Sequence, residues 1–258
     1  MLAAVVSQAS ALAGMGRLAE RVSRRVRPDP RRDAEVRGER VVFRSLEAEG
    51  FLEQFRGRRI LEVGPKHGED SRLLAMLDPA ELVLIDLPEK RAVVETWLPA
   101  VQAACPVRYV EANLLYLPAD ECSDLGRFDL IFCLGVVYHN VEQLRLLRRL
   151  FNLCATGGVL VLESSTTRDR RLADLNVVEV HWPSPYRETT TITHHPSRRA
   201  LRSWLEMVGF TEVAIRDVYS RGLGWQRAVL TATRPADPAP YLSYASEEHR
   251  PWIAGEAV

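Results

Sequence analysis

The stretch ILEVGPKHGED, residues 60–70, decides how the rest of the chain is read. Ile60, Leu61 and Val63 make a short apolar run, Gly64 and Gly68 follow it, and Glu69 and Asp70 open a helical pattern. A strand that turns through glycine into a helix lets the backbone approach a ligand closely, and the first N–H groups of that helix favour an anion such as a carboxylate. The spacing E-x-G-x-x-x-G is not the G-x-G-x-x-G of a typical dinucleotide loop. Taken alone it fits several nucleotide loops, and equally a tight turn that holds nothing.

Outward from this loop the chain alternates short apolar runs with amphipathic segments. Strands are expected over 58–63, 81–86, 107–112, 128–134 and 157–164, with helices over 69–77, 91–104 and 141–155. In the last helix Leu144, Leu147, Leu150, Phe151 and Cys154 recur at helical spacing. Continuous apolar strands separated by helices predict a doubly wound α/β fold, a parallel sheet covered on both faces. Ligands of such sheets bind beyond the carboxyl ends of the strands. At those ends stand Asp86, placed to accept hydrogen bonds from ribose hydroxyls, and Asn113 with Leu114, an amide and an apolar face suited to adenine. Leu134 closes the fourth run at the same edge, and Tyr138 and His139 follow it.

Residues 166–195 read as a long polar insertion, a lid or substrate-binding loop. A helix is expected over 196–210 with Pro196 at its start, then strands over 211–218 and 225–234, with Gly222 and Gly224 in the turn between them. The expected organisation is an N-terminal helical appendage over 1–40, a central domain over 41–234 and a C-terminal extension over 235–258.

Thirty-four basic residues balance thirty-four acidic ones in a chain of 258, which excludes a broadly basic nucleic-acid binder. Only Lys66 and Lys90 are lysines; the other basic residues are arginines, and the alanine and arginine content points to a high-GC bacterial coding bias. Residues 1–40 carry nine arginines against five acids, so a polyanion has its natural place there. Their first sixteen residues are small and apolar but precede the arginines, the reverse of a signal peptide, and are too short for a membrane span. An amphipathic helix ended by Pro28 and Pro30 is expected instead, packing on the body, making a homodimer contact or lying on a membrane surface. Cys105, Cys122, Cys133 and Cys154 show no C-x-x-C spacing and read as core thiols of a cytoplasmic protein.

The order Glu62/Gly64/Gly68, Asp86, Asn113, then FDLIFCLGVVYH and GGVLVLES resembles the class I S-adenosylmethionine-dependent methyltransferases over about residues 40–233. The resemblance implies their seven-stranded Rossmann-like sheet, mostly parallel with an antiparallel last strand. It also implies that Glu62, Gly64 and Gly68 hold the methionine part of the cofactor, Asp86 the ribose, and Asn113 with Leu114 the adenine, with Leu134 beside them. From LGVVYH through HHPSRRALRSWLEMVGF to WQRA the chain is similar to the tRNA wobble-uridine carboxymethyltransferases. In that branch the tyrosine and arginine matching Tyr138 and Arg227 help hold the extra carboxylate of a carboxylated cofactor. Residues 1–55 are not expected to supply the large N-terminal region that typifies that branch, nor Arg40–Phe43 its lysine-glycine-proline segment.

Methyl transfer from a sulfonium needs an acceptor held in line and, for a hydroxyl, a base to take its proton. His139 is the candidate base and Tyr138 a candidate neighbour or pocket wall. Tyr186, Arg187, His181, His194 and Arg227 are candidate acceptor contacts, and Trp182 and Trp225 candidate stacking surfaces. Arg168, Arg170 and Arg171 are either further acceptor contacts or exposed charges paired with their acidic neighbours. Glu163, Asp174 and Glu179 offer oxygen ligands for an optional Mg²⁺ that would orient a diol. The expected activity is O-methylation of a small polar acceptor such as a sugar, with nucleic acid disfavoured. The alternatives are a tRNA-modifying carboxymethyltransferase or methyltransferase, and a non-catalytic cofactor-binding regulator.

Overall fold

The chain's computed structural model describes residues 38–47, 50–182, 193–220 and 226–237. The expected N-terminal helix and C-terminal extension lie outside these residues, as do Tyr186, Arg187 and Trp225. The main sheet contains β1 (Arg59–Val63), β2 (Glu81–Asp86), β3 (Val107–Glu111), β4 (Phe128–Leu134), β5 (Cys154–Ser165), β8 (Thr211–Ser220) and β9 (Gln226–Thr233). Their order is β3-β2-β1-β4-β5-β9-β8, parallel throughout except for β9, which runs antiparallel to both its neighbours. This is the doubly wound, seven-stranded sheet that the sequence predicts.

The strands are apolar on both sides because both faces are covered. Leu61, Val83, Ile131, Leu160 and Leu230 belong to one core layer, while Ile60, Leu82, Leu130, Val161 and Val229, their neighbours one residue away, belong to the other. The first layer is completed by α6 (Gln143–Leu153) and α7 (Arg198–Met207), through Leu147, Leu150, Leu201 and Leu205. The second is completed by α1 (Gly38–Glu47) through Val42, Phe43 and Leu46, and by α2 (Glu69–Ala75) through Leu74. α1 runs across residue 40, the boundary expected between appendage and domain. Strand order reverses between β1 and β4, which opens a crevice above their carboxyl ends.

Several expectations change. The helix expected over 91–104 is two pieces, α3 (Arg91–Val94) and α4 (Leu98–Gln102). The Thr96 hydroxyl donates to the Val93 carbonyl at 2.6 Å, competing with the helical ladder, and Pro99 can stand only in the first turn of a helix. The break leaves Trp97 buried between the pieces. The helix expected over 141–155 ends at Leu153, because Cys154 already begins β5. The insertion over 166–195 contains a hairpin of β6 (Val178–His181) and β7 (Thr193–Pro196), so His194 and His195 are strand residues. Pro196 ends that strand; the helix cap is Ser197, whose Oγ accepts from the Ala200 N–H at 3.0 Å. Missing from the sequence reading is the short α5 (Ala119–Asp124), whose Cys122 is buried in the first layer.

All four cysteines are free and buried, and burial pushes the thiols of Cys133 and Cys154 up to about 12, as befits core side chains and not nucleophiles. Among the described residues no helix is long and apolar enough to cross a membrane.

Candidate functional site: a cleft at the strand ends

A cleft of about 1170 Å³ lies above the carboxyl ends of β1, β2 and β4. One side is the glycine loop, Gly64 to His67, with Asp86, Asn113 and Leu114; the other is Leu134, Tyr138, His139, Glu163 and Arg227. Gly64 and Gly68 both require a positive φ, at 76° and 69°. A Cβ on Gly64 would sit 2.8 Å from the Val136 side chain, and one on Gly68 2.2–2.6 Å from the Trp97 ring. Between them Lys66 holds φ at 45°, a conformation a lysine rarely adopts. Asp86 Oδ2 accepts from the Lys66 N–H at 3.0 Å and Oδ1 from the Leu87 N–H at 2.8 Å, which fixes the carboxylate at the cleft. Asn113 Oδ1 accepts from the Leu115 N–H at 3.0 Å, leaving its amide nitrogen as a donor.

Glu62 and Gly68 support the loop from behind and do not line the cleft. Glu62 is buried and its Oε2 accepts from the Ser71 hydroxyl at 2.6 Å, tying β1 to α2.

On the opposite side the turn Val137–His139 is held from three directions. Gln143 Nε2 donates to the carbonyls of Val137, at 3.2 Å, and His194, at 2.8 Å, and Asn140 Nδ2 donates to the Val136 carbonyl at 2.8 Å. His139 thus faces the cleft, its ring 4.1 Å from that of Tyr138. The ring is exposed at the cleft, yet the walls strip part of its hydration. That desolvation first, then the charges of Arg227 and Lys66, lowers its pKa to about 4. Water in the open cleft screens those charges in part, and the imidazole is neutral at pH 7.

Behind His139, Arg227 and Glu163 form a buried fork pair, with Nε and Nη2 each donating to one carboxylate oxygen. The Tyr219 hydroxyl donates to Glu163 Oε1 at 2.8 Å, and Arg227 Nη1 stands 3.3 Å from the Tyr138 hydroxyl. Burial opposes the Arg227 charge, but the Glu163 carboxylate more than offsets it and holds the guanidinium pKa well above its usual value. Glu163, a candidate metal ligand by sequence, is therefore the anchor of Arg227.

Of the remaining candidates, His181 Nε2 is 3.3 Å from Glu179 and its ring 4.6 Å from that of His195, on the hairpin rather than in the cleft wall. His194 contributes its carbonyl to Gln143, not a side chain to the cleft. Asp174 is exposed beside Arg198, and Arg171 pairs with Asp169. Trp182 is exposed. Among the described residues no three His, Cys, Asp or Glu side chains assemble around a common point as metal ligands, so the Mg²⁺ expectation has no site there.

Of the adjacent histidines the sequence singles out His194 as an acceptor contact, whereas the residue that approaches the Tyr138 ring is His195. It is fully buried, 5.3 Å from the Tyr138 ring, with Nδ1 3.4 Å from the Ser165 hydroxyl. Burial, then the neighbouring His181, His139 and Arg227, lowers its pKa from 6.5 to about 3, while a backbone contact with Thr166 works the other way. The folded state keeps this ring neutral while the unfolded chain protonates it below about pH 6.5. Its contribution to stability is complete above that value and declines as pH falls towards 3, by at most about 1.4 kcal/mol per pH unit. Urea midpoints between pH 7 and 4.5 are expected to fall less steeply for His195→Gln than for the wild type; parallel profiles would show that the ring does not titrate this way.

Comparison with known proteins places the chain. The profile of the Methyltransferase domain family matches residues 34–215. The tRNA U34 carboxymethyltransferase of Aliivibrio fischeri (strain ATCC 700601 / ES114) is 32% identical over 181 residues, 67% of this chain and 51% of that protein. Its counterpart in Haemophilus influenzae (strain PittEE) is 32% identical over 184 residues, 68% and 52% of the two chains. The chain thus spans about half the length of the curated relatives it matches. Among solved structures, the N-terminal domain of EvdMO1 in the presence of SAH and D-fucose superposes with a TM-score of 0.57 at 22% identity, over 74% of this chain and 82% of that one. The 1,6-didemethyltoxoflavin-N1-methyltransferase of Burkholderia thailandensis, with bound S-adenosylhomocysteine, gives 0.57 at 19% identity over 89% of each chain. At such identities the structural likeness speaks for the fold alone.

Proposed function

Since the chain belongs to the methyltransferase domain family, near the tRNA U34 carboxymethyltransferases within the class I S-adenosylmethionine-dependent enzymes, we propose that its cleft binds a sulfonium cofactor of that kind. We propose further that it transfers the sulfonium's methyl group, or the carboxymethyl group of the carboxylated derivative, to a hydroxyl, with a tRNA uridine as the first acceptor to test. The observation that carries this reading is one cleft with two chemically different sides. Asp86, Asn113 and Leu114 offer nucleoside contacts on one, beside the Gly64 backbone for the methionine part, and His139 stands opposite with Tyr138 and Arg227.

The residues present fit the cofactor. The fixed Asp86 carboxylate accepts one backbone N–H on each oxygen and keeps lone pairs for ribose hydroxyls. Asn113 and Leu114 provide an adenine edge and face. S-adenosylmethionine, when bound, supplies an electrophilic carbon on a leaving group that needs no protonation. What remains for the protein is to orient the acceptor and remove its proton. His139 does the second: as a neutral imidazole it accepts the hydroxyl proton, and the Val137–His139 turn keeps it at the cleft. Tyr138 and Arg227 close the transfer end, and Glu163 anchors Arg227 there through Nε and Nη2 while Nη1 faces the Tyr138 hydroxyl. Because that tyrosine-arginine pair is the one expected to hold a carboxylate, binding assays include both S-adenosylmethionine and its carboxylated derivative.

The balanced charge of the chain favours a second acceptor class, small polar hydroxyl compounds such as sugars. One experiment separates the two: labelled cofactor is incubated with total tRNA and with a panel of sugars and phenols, and the labelled product is identified. Label in tRNA nucleosides supports the first reading, label in a sugar the second, and label in neither, with cofactor bound, rejects both acceptors. With the acceptor identified, His139→Ala is expected to lower turnover by about 10²–10⁴-fold with cofactor affinity changed less than about twofold. Full turnover in this variant excludes His139 as the base.

A further inference from the structure

The break between α3 and α4 puts Trp97 directly beneath the glycine loop. Its indole Nε1 donates to the Lys66 carbonyl at 3.1 Å, while the Lys66 N–H donates to Asp86 Oδ2 at 3.0 Å. Both polar groups of the Lys66 peptide backbone are therefore held, one by a strand-end carboxylate and the other by a buried indole. Two residues on, Gly68 lies so close to the same ring that a Cβ there would fall 2.2 Å from Cδ2 and 2.4 Å from Cε3. One side chain thus covers Gly68 and hydrogen-bonds Lys66 at the two ends of a three-residue turn. Without such restraint a non-glycine residue at φ 45° would relax, since that conformation is costly for a lysine.

We propose that Trp97 is the positioning residue of the cofactor loop: its indole holds Lys66 to Gly68 in the binding shape, so cofactor affinity depends on a side chain that does not line the cleft. This rests on the reading of the cleft as a sulfonium-cofactor site, but its local consequence, an ordered loop, exists without any ligand. Trp97 acts through the loop and not on the reacting atoms. Lys66, so fixed, keeps its side chain at the cleft wall, and the indole N–H and the Asp86 carboxylate form one continuous brace across the floor of the loop.

The test compares wild type with Trp97→Phe, which keeps an aromatic ring over Gly68 and removes only the donor. Calorimetry with S-adenosylmethionine is expected to show affinity weakened by about five- to tenfold, the worth of one hydrogen bond. Amide exchange at Lys66, His67 and Gly68 in the ligand-free protein is expected to accelerate while the thermal midpoint moves little. A Trp97→Phe protein that matches wild type in both affinity and loop exchange overturns the proposal. If wild type itself binds neither S-adenosylmethionine nor its carboxylated derivative, the cofactor reading falls, while faster loop exchange in Trp97→Phe still supports the brace and unchanged exchange rejects it. Should Trp97→Phe not fold, Trp97→His, which retains a ring donor, decides: wild-type loop protection supports the brace, and lost protection in a folded Trp97→His overturns it.

Discussion

Glu163→Ala is expected to destabilise the protein by about 3–5 kcal/mol, the effect of leaving a buried charge without its partner. The side chains of Arg227 and Glu163 are 5% and 3% exposed, so water cannot replace the lost carboxylate. The Tyr219 hydroxyl loses its acceptor in the same step. The pair itself is worth much less than this figure, because each ion gave up its hydration to enter the sheet. Replacing both partners, as in Glu163→Leu with Arg227→Met, is therefore expected to recover most of the loss. Urea unfolding at pH 7 of the wild type, the single and the double variant measures the difference. A cost below about 1 kcal/mol for Glu163→Ala would mean that Arg227 finds another partner or reaches solvent.

Asp86→Ala is expected to reduce affinity for S-adenosylmethionine by on the order of a hundredfold or more, since hydrogen bonds to a charged group are worth about 1.5–3 kcal/mol each and two ribose hydroxyls are involved. The loss has a second source in the protein itself: the Lys66 and Leu87 N–H groups lose their acceptors, and the glycine loop loses one end of its brace. Asp86→Asn keeps one acceptor oxygen and is expected to fall between the two. Calorimetry on all three proteins checks this order, and unchanged affinity in Asp86→Ala rejects the assignment of the nucleoside side of the cleft.

The sheet was legible because its strands are buried on both faces, and a continuous apolar run such as 81–86 or 128–134 has few other uses. Asp86, Asn113, Leu114, Tyr138 and His139 followed from the strand ends and Arg227 from the resemblance to the carboxymethyltransferases, and all six line one cleft. Less visible was anything that depends on where two distant segments touch. Trp97 lies in a stretch whose apolar spacing continues a helix, and only the competing hydrogen bond of Thr96 and the ring of Pro99 break it. Glu163 reads as an acid near other acids, because nothing local announces that Arg227, 64 residues later, occupies both its oxygens. The β6–β7 hairpin was hidden by composition, since Val178, Val180 and Trp182 face solvent and give its first strand no apolar inner side.

The place of β9 has a consequence for the order of assembly. It is the last described strand along the chain, yet it lies inside the sheet, between β5 and β8. Until it enters, β5 has an open apolar edge; β8 pairs with β9 as a local hairpin, whereas the β5–β9 pair joins segments far apart in the sequence and carries the larger loop-closure cost. Arg227 travels on this strand, and Tyr138, Glu163 and Tyr219 all wait for it. The nucleoside side of the cleft is thus built from segments that precede β5 in the chain, whereas the acceptor side is complete only once β9, bringing Arg227, has docked against β5.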